Sequence, residues 1–141
     1  MIVPGNSKLP TVWMCFLAGE ILKQLRLPIS SCSVDHRLTE REAKLEKIPY
    51  LAASYPFNDH GKSMIMEALD GFVKLLANPE TGEILGGTCV GPVGGELIHE
   101  IVAAMSKRMT VHELAAMPHY HPTLAEIWTY PAEELADQIR V

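Results

Sequence analysis

The sequence predicts an α+β fold, in which a mainly antiparallel β-sheet is flanked by helices. Three observations predict it: strand-like segments gather in the middle of the chain, a short Pro/Gly turn joins two of them, and amphipathic helical patterns lie on both sides. A Rossmann unit is not predicted, because the nearest Gly-rich run, residues 91–95, contains a proline and has the wrong spacing for a dinucleotide fingerprint.

Composition narrows the class of protein. The chain has 141 residues, of which 48% are hydrophobic and 21% charged, so one domain with a real core is expected. A net charge of −5 argues against a nucleic-acid or anionic-membrane partner. The three cysteines are widely spread with no Cys-x-x-Cys spacing, which is typical of thiols in a reducing cytoplasm rather than of a disulfide framework.

The first 36 residues are expected to form a helical extension. Pro10 suits the first turn of a helix that runs to about Arg26, and Leu27-Pro28 ends it. The apolar run is too short and too soon broken by charge to span a bilayer. An extended connector is predicted over 29–36. The helix carries one apolar stripe at three- and four-residue spacing, made of Trp13, Phe16, Leu17, Ile21 and Leu25.

The next segments alternate between helix and strand. Thr39 and Glu42 form a capping box that opens a short helix through about Glu46. A strand is predicted over 50–55, and Asn58-Asp59-His60-Gly61 is predicted to be a turn or loop.

Residues 71–90 predict an antiparallel hairpin. Apolar and polar residues alternate over 71–77, turn residues follow over 78–82, and a second strand is predicted over 84–90. Gly86 and Gly87 inside that strand indicate a bulge or a close approach of another backbone.

Helices are predicted for the rest of the chain. Gly91-Pro92 is expected to open a long helix to about Lys107, and a second capping box at Thr110 opens a helix to Met117. Thr123 and Glu126 form a third box, and a last helix is expected over 131–139. The buried stripe of the long helix is expected to be Leu97, Ile98, Ile101, Val102 and Met105.

The segment 119–126, His-Tyr-His-Pro-Thr-Leu-Ala-Glu, concentrates the candidate chemistry. Pro122 restricts His121 to extended backbone, and Glu126 follows five residues later at a helix start. A carboxylate beside an imidazole selects its tautomer and raises its basicity, which acid–base chemistry near neutral pH requires. The chemically inert alternative is a loop histidine next to a glutamate that only caps a helix.

Two other functional interpretations stay open. His119 and His121 have a His-x-His spacing that a metal could use, with His99, His112 or Glu126 completing the set. Methionines could form an adaptable binding surface, although core or dimer packing is favoured for them; they are Met64, Met66, Met105 and Met109.

Five ordered blocks resemble one known family. They are residues 71–75, 81–87, 90–92, 96–100 and 119–126, and Leu38-Thr39-Glu40 is similar to the opening of the same domain. Together they resemble the C-terminal dimerisation domain of pyridine nucleotide-disulfide oxidoreductases, such as dihydrolipoamide dehydrogenase and mercuric reductase. The resemblance covers roughly residues 37–139.

The resemblance implies an antiparallel sheet that helps to form a two-fold dimer. It also implies that His121 is the acid–base group for redox thiols of the partner subunit and that Glu126 orients it. His119 and Pro122 would support this pair without acting on substrate, and the His121–Pro122 bond is expected to be cis. Tyr120 departs from the family, which often has a small residue there.

The complete family enzymes also carry an FAD domain, an NAD(P)H domain and a Cys-x4-Cys redox pair, and none of these appears in the 141 residues. We therefore predict an extension over 1–36 and a reductase dimerisation-like domain over 37–141, with no cofactor or metal held by this chain. The expected partner is a second copy or a flavoprotein, with no nucleic acid and no membrane. The alternative function is a stand-alone homodimeric module that binds a small molecule or metal without redox activity.

Overall fold

The computed structural model describes residues 31–139, so the predicted helix over 10–26 lies outside the described part of the chain. Four strands and five helices follow one another in it, together with two short 3₁₀ segments at Phe57–Asp59 and Ala125–Trp128. The elements are β1 (Ser31–Arg37), α1 (Glu40–Glu46), β2 (Leu51–Pro56), α2 (Gly61–Ile65), β3 (Phe72–Ala77), β4 (Ile84–Pro92), α3 (Gly94–Ser106), α4 (Val111–Ala116) and α5 (Thr129–Gln138).

The four strands form one antiparallel sheet in the order β1-β4-β3-β2. In the predicted hairpin, Phe72 pairs with Val90 and Leu75 with Gly87. The register shifts at Leu76/Ala77, beside Gly86, so the irregularity that the paired glycines indicated is present. The predicted α+β class and antiparallel sheet are confirmed.

The main core lies between one face of the sheet and the helices. The long helix α3 contacts β4 and β1, and α5 contacts β2 and β3, so the two helices cover the sheet side by side. Trp128 and Phe57 are the largest of the fully buried side chains. The inward side chains of the middle strands are Val73, Leu75, Ala77, Ile84 and Cys89.

The opposite face of the sheet carries α1. The predicted capping box is present, since Glu42 N–H donates to Thr39 Oγ1 and the Thr39 backbone N–H donates to the Glu42 carboxylate. From the first turn of α1, Glu40 accepts a hydrogen bond from Lys74 of β3, with Nζ and Oε2 2.6 Å apart. This ion pair ties the short helix to the sheet.

The Lys74–Glu40 pair predicts an acid-sensitive contribution to stability. The hydrogen bond from Lys74 is the largest cause that lowers the pKa of Glu40 from its usual value. Because the folded state favours the ionised carboxylate, the contribution is present above the unfolded pKa near 4.5 and is lost as the pH falls through the folded value. We expect Glu40→Gln to cost about 0.2–1 kcal/mol at neutral pH.

Urea denaturation of Glu40→Gln and the unchanged protein at neutral pH and at about pH 3 measures this difference, which should vanish in acid. Glu46→Gln, at the exposed end of the same helix, is the matched control. An equal deficit of Glu40→Gln at both pH values would contradict the assignment to the ion pair.

Three sequence predictions are corrected by the structure. The expected connector over 29–36 contains most of β1, which pairs with β4 along its length and crosses the proposed division at residue 36; the division itself stays a prediction. Because β1 is an edge strand, it needs few apolar residues, and its polar sequence gives no strand pattern. The expected turn at 58–61 contains the end of the 3₁₀ segment Phe57–Asp59 and the start of α2, whose N-cap His60 makes no side-chain capping bond.

The third correction concerns the long helix. It begins at Gly94 rather than at Gly91-Pro92, because β4 continues to Pro92, which pairs with Ser31. Val93 then adopts a left-handed conformation with φ 48°, and this turn separates strand from helix. The predicted capping box at Thr110 is confirmed. No helix within residues 31–139 is long and apolar enough to cross a membrane.

Two glycines allow backbones to approach closely. A Cβ on Gly86 would lie 2.0 Å from the carbonyl oxygen of Leu38, and a Cβ on Gly71 would lie 1.7 Å from that of Val90. Gly71 also has φ 108°, which L-residues rarely adopt. The close approach that the paired glycines predicted is therefore found at Gly86.

Gly71→Ala is expected to lower the free energy of unfolding by about 2–3 kcal/mol, because backbone strain and overlap with a carbonyl oxygen add together. Thermal denaturation against Gly95→Ala measures the effect. A Cβ on Gly95 meets nothing within 4 Å, and its φ is not positive, so this control should be neutral or slightly stabilising. Equal melting temperatures for the two variants would overturn the prediction.

Candidate functional site

The segment 119–126 follows α4 and runs into the 3₁₀ segment Ala125–Trp128 that precedes α5. Pro118 and Pro122 keep it out of regular helix. Trp128, two residues after this segment, anchors its C-terminal end. Trp128 is fully buried and donates a hydrogen bond from Nε1 to the carbonyl oxygen of Leu97 on α3 at 3.0 Å. The peptide bond between His121 and Pro122 is cis, as the resemblance implied.

His121 and Glu126 form a close pair. His121 Nδ1 lies 2.9 Å from Glu126 Oε2. The two side chains differ sharply in exposure, since that of His121 is 79% exposed and that of Glu126 only 13%. The carboxylate therefore lies behind the ring, and the other side of the ring faces solvent.

The partner fixes the protonation pattern of the ring. An ionised carboxylate only accepts hydrogen bonds, so the neutral imidazole carries its proton on Nδ1 when it donates to Glu126. The lone pair is then on Nε2, the ring nitrogen turned away from Glu126. A basic nitrogen at the surface, with a carboxylate on the opposite side of the ring, is the arrangement expected of a general base.

The predicted third capping box is wrong. The 3₁₀ segment that holds Glu126 has Leu124 at its N-cap and no side-chain capping bond. The carboxylate of Glu126 turns instead towards His121, and the Glu126 carbonyl oxygen accepts from Thr129 Oγ1 at 2.7 Å. A contact with a histidine five residues back in the chain thus replaces the local capping bond.

His60 is a third member of the site, which the sequence analysis assigned only to a turn. Its side chain is completely buried, and Nε2 lies 3.4 Å from Glu126 Oε1. Nδ1 lies 2.9 Å from Ser63 Oγ, one turn further along α2. No pattern near residue 60 marks it, because the contact with Glu126 joins segments 66 positions apart in the sequence.

Aromatic rings close the site on one side. His60 meets Tyr130 edge-on, with ring centroids 6.1 Å apart, and Tyr130 stacks on Tyr55 at 4.0 Å. The Tyr55 hydroxyl donates to Asp59, immediately before His60 in the chain. Burial, with the Asp59 hydrogen bond second, raises the pKa of Tyr55 to about 12, so this phenol stays protonated at neutral pH.

The burial of His60 leads to a prediction about how the stability of the protein changes with pH. Burial lowers the pKa of His60 from 6.5, opposed by the Glu126 carboxylate and reinforced by His121. The unfolded chain therefore binds a proton more readily than the folded protein. The free energy of unfolding should fall as the pH drops below about 6.5.

Urea denaturation at about pH 8 and pH 5.5 measures this loss. His60→Gln cannot titrate in this range, so it should lose less stability on acidification than the unchanged protein. His99→Gln, exposed on α3, is the matched control and should behave like the unchanged protein. Identical pH dependence of His60→Gln and the unchanged protein would argue against a neutral buried imidazole.

His119 belongs to a separate pair. Its Nε2 lies 2.6 Å from Glu100 Oε1 on α3, and its Nδ1 lies 3.0 Å from the carbonyl oxygen of Met117. The proposed support of His121 by His119 therefore finds no direct contact within the described residues, while the loop itself is held against α3. Both ring nitrogens of His119 thus lie within hydrogen-bond distance of an oxygen atom, so this side chain is held at both ends.

The metal set that the sequence left open as an alternative does not assemble. Within residues 31–139, no group of three His, Cys, Asp or Glu side chains is placed to hold a metal ion. His112 Nε2 lies 2.8 Å from the carbonyl oxygen of Ile139, and His99 is exposed on α3. The metal form of the alternative function is therefore not favoured.

The methionines divide into two sets. Met105 is in the core, and Met109 is half-buried beside an apolar cavity of about 240 Å³ that Glu100 and Met117 also line. Met64 and Met66 are about half exposed on and just after α2, next to Ile65. Core packing thus accounts for Met105 but not for the α2 pair.

A family model matches most of the described part of the chain. The model described as "Pyridine nucleotide-disulphide oxidoreductase, dimerisation domain" matches residues 38–132, which is more than half of the chain. The chain belongs to this family. The matched residues include all five blocks on which the resemblance rested, together with His121, Glu126 and His60.

Curated relatives agree with the family. The chain is 38% identical over 94 residues to the dihydrolipoyl dehydrogenase of Geobacillus stearothermophilus, covering 67% of this chain and 20% of that protein. It is 43% identical over 91 residues to the dihydrolipoyl dehydrogenase of Corynebacterium glutamicum, covering 62% and 19%. The chain thus spans about a fifth of the length of the curated relatives it matches.

Solved structures share the fold. LpdA from Mycobacterium tuberculosis superposes with a TM-score of 0.71 at 23% identity, covering 82% of this chain and 28% of that one. The HOCl-induced flavoprotein disulfide reductase RclA from Escherichia coli gives a TM-score of 0.68 at 17% identity, covering 72% and 23%. The dimerisation-domain fold is therefore established for the described residues.

Proposed function

We propose that this dimerisation domain joins two subunits and presents His121 as the acid–base group for a redox thiol, with Glu126 orienting the ring. The observation that carries the proposal is the pair itself. A carboxylate that is 13% exposed lies 2.9 Å from Nδ1 of an imidazole that is 79% exposed, so the basic nitrogen is free to meet a substrate.

The proton step follows from that geometry. Neutral His121 accepts the proton of a thiol on Nε2, which leaves a thiolate and an imidazolium. The imidazolium is stabilised by the negative charge of Glu126 at Nδ1. In the reverse direction Nε2 returns the proton to a thiolate, and no other group of the domain has to change its charge.

The thiols and the flavin are assigned to protein outside residues 31–139. The complete enzymes of the family, as the resemblance implies, use FAD and NAD(P)H. Residues 31–139 do not fit a dinucleotide site, because their sheet is antiparallel throughout, whereas such sites lie at strand–turn–helix units of parallel sheets. Those groups would have to be supplied from outside residues 31–139.

Association through the sheet and the α3 region, as a homodimer, is the second part of the proposal. The family model carries a dimerisation role in its description. Met64, Ile65, Met66 and Leu69 are each more than 40% exposed within one short stretch, which adds an apolar surface suited to a protein partner. Cysteine usage further supports a cytoplasmic location.

Solution mass and an absorbance spectrum on the same sample test the association. A colourless dimer supports a joining module, and a yellow sample of higher mass supports a complex with a flavoprotein. A colourless monomer at micromolar concentration would contradict the proposed association.

A chimaera tests the acid–base role. Residues 38–139 of this chain would replace the matching segment of the Geobacillus stearothermophilus dihydrolipoyl dehydrogenase, and turnover would be measured with that enzyme's own substrate. An active chimaera that depends on His121 supports the proposal. A folded, flavin-loaded chimaera whose activity does not depend on His121 would end it.

A further inference from the structure

We propose that His60 is a positioning residue, which holds the Glu126 carboxylate in place against His121 through a buried relay that starts at Ser63. The relay has three contacts in series: Ser63 Oγ to His60 Nδ1 at 2.9 Å, His60 Nε2 to Glu126 Oε1 at 3.4 Å, and Glu126 Oε2 to His121 Nδ1 at 2.9 Å. Its consequence for catalysis rests on the proposed function, but its geometry does not.

Hydrogen-bond requirements fix the direction of the relay. The buried Nε2 of His60 has no hydrogen-bond partner in the described residues and lies beside the carboxylate of Glu126. A lone pair there would face the negative charge, whereas an N–H would be attracted to it. His60 therefore carries its proton on Nε2, and the Ser63 hydroxyl donates to Nδ1.

The surroundings keep His60 in this role. Its side chain is completely buried, Tyr130 packs edge-on against the ring, and Ser63 is also buried. The groups that face the ring are Ser63, Glu126 and Tyr130, with His121 beyond the carboxylate. A neutral N–H donor directs one oxygen of Glu126 inwards, so the other oxygen remains turned towards His121.

The tautomers of the two histidines test the proposal. Nitrogen-15 NMR of the full chain, labelled at histidine, distinguishes Nδ1–H from Nε2–H for each neutral ring. We expect Nε2–H at His60 and Nδ1–H at His121. Finding Nδ1–H at His60 would overturn the relay without any mutation.

Matched substitutions of His60 then test whether the tautomer of His121 depends on it. His60→Met keeps the volume but removes the donor, and the Nδ1–H fraction of His121 should fall at least about two-fold. His60→Gln places an amide N–H near the position of Nε2 and should restore most of that fraction. An unchanged His121 tautomer in folded His60→Met would refute the positioning role.

Ser63→Ala covers the case in which His60→Met fails to fold. It removes only a hydroxyl, and it should reduce the Nε2–H fraction of His60 because Nδ1 loses its donor. No change in the His60 tautomer would overturn the relay. These readouts are separate from turnover: if the chimaera keeps its activity without His121, the acid–base proposal fails while the tautomer results still decide the relay.

Discussion

His121→Gln in the chimaera is expected to lower turnover by about 10²- to 10⁴-fold, the usual contribution of a general acid–base group. Glutamine keeps a polar side chain of similar reach, but its amide has no basic nitrogen and cannot take a proton from a thiol. The side chain of His121 is largely exposed, so the substitution should leave the fold intact. Steady-state kinetics with flavin content measured on the same preparation checks the prediction.

His99→Gln is the matched control for this variant, because His99 is exposed on α3 and the site does not include it. It should leave turnover unchanged. Glu126→Gln should give a smaller loss than His121→Gln, since an amide can still accept from Nδ1 but no longer offsets the charge of the imidazolium. Equal activity of His121→Gln and His99→Gln would leave the pair without a catalytic role.

Trp128→Ala is expected to lower the free energy of unfolding by about 3–5 kcal/mol, the usual cost of truncating a buried aromatic residue. Trp128 is fully buried and is among the largest core side chains. It also ends the segment that carries Glu126 and bonds that segment to Leu97 of α3. Its loss should therefore loosen the site before the whole domain unfolds.

Urea denaturation gives the stability change, and the His121 tautomer gives the effect on the site. Trp128→Phe is the matched variant, because it keeps a buried ring and removes only the Nε1–H bond; it should cost less than Trp128→Ala. A loss below about 1 kcal/mol in Trp128→Ala would mean that α3 and the 119–126 segment are not joined through this ring.

Local signals predicted many of the elements correctly. The boxes at Thr39 and Thr110 satisfy backbone groups three residues away, so the sequence contains everything that the contact needs. The hairpin over 72–92 follows from alternation and a turn. The same kind of reasoning failed at Thr123, because the Glu126 carboxylate contacts His121 instead of the local N–H groups.

Elements without a local signal were missed. β1 is a polar edge strand that owes its form to pairing with β4, and α2 lacks a capping residue. His60 stood in a predicted turn, and its burial arises only when α2, α5 and the 119–126 segment pack together. Its contact with Glu126 could not be inferred from spacing.

The sequence by itself determined the fold class, the hairpin and two helix starts, because each depends on residues a few positions apart. The pairing of His121 with Glu126 was predicted through the order of the family's blocks, since spacing alone left a simple helix cap open. Only the tertiary structure decided that Glu126 lies between two imidazoles and that His119 faces Glu100 instead. Those contacts join segments 19 and 66 positions apart in the sequence. Packing of the helices on the sheet brings such distant groups together, and it also removes the water that would otherwise satisfy them.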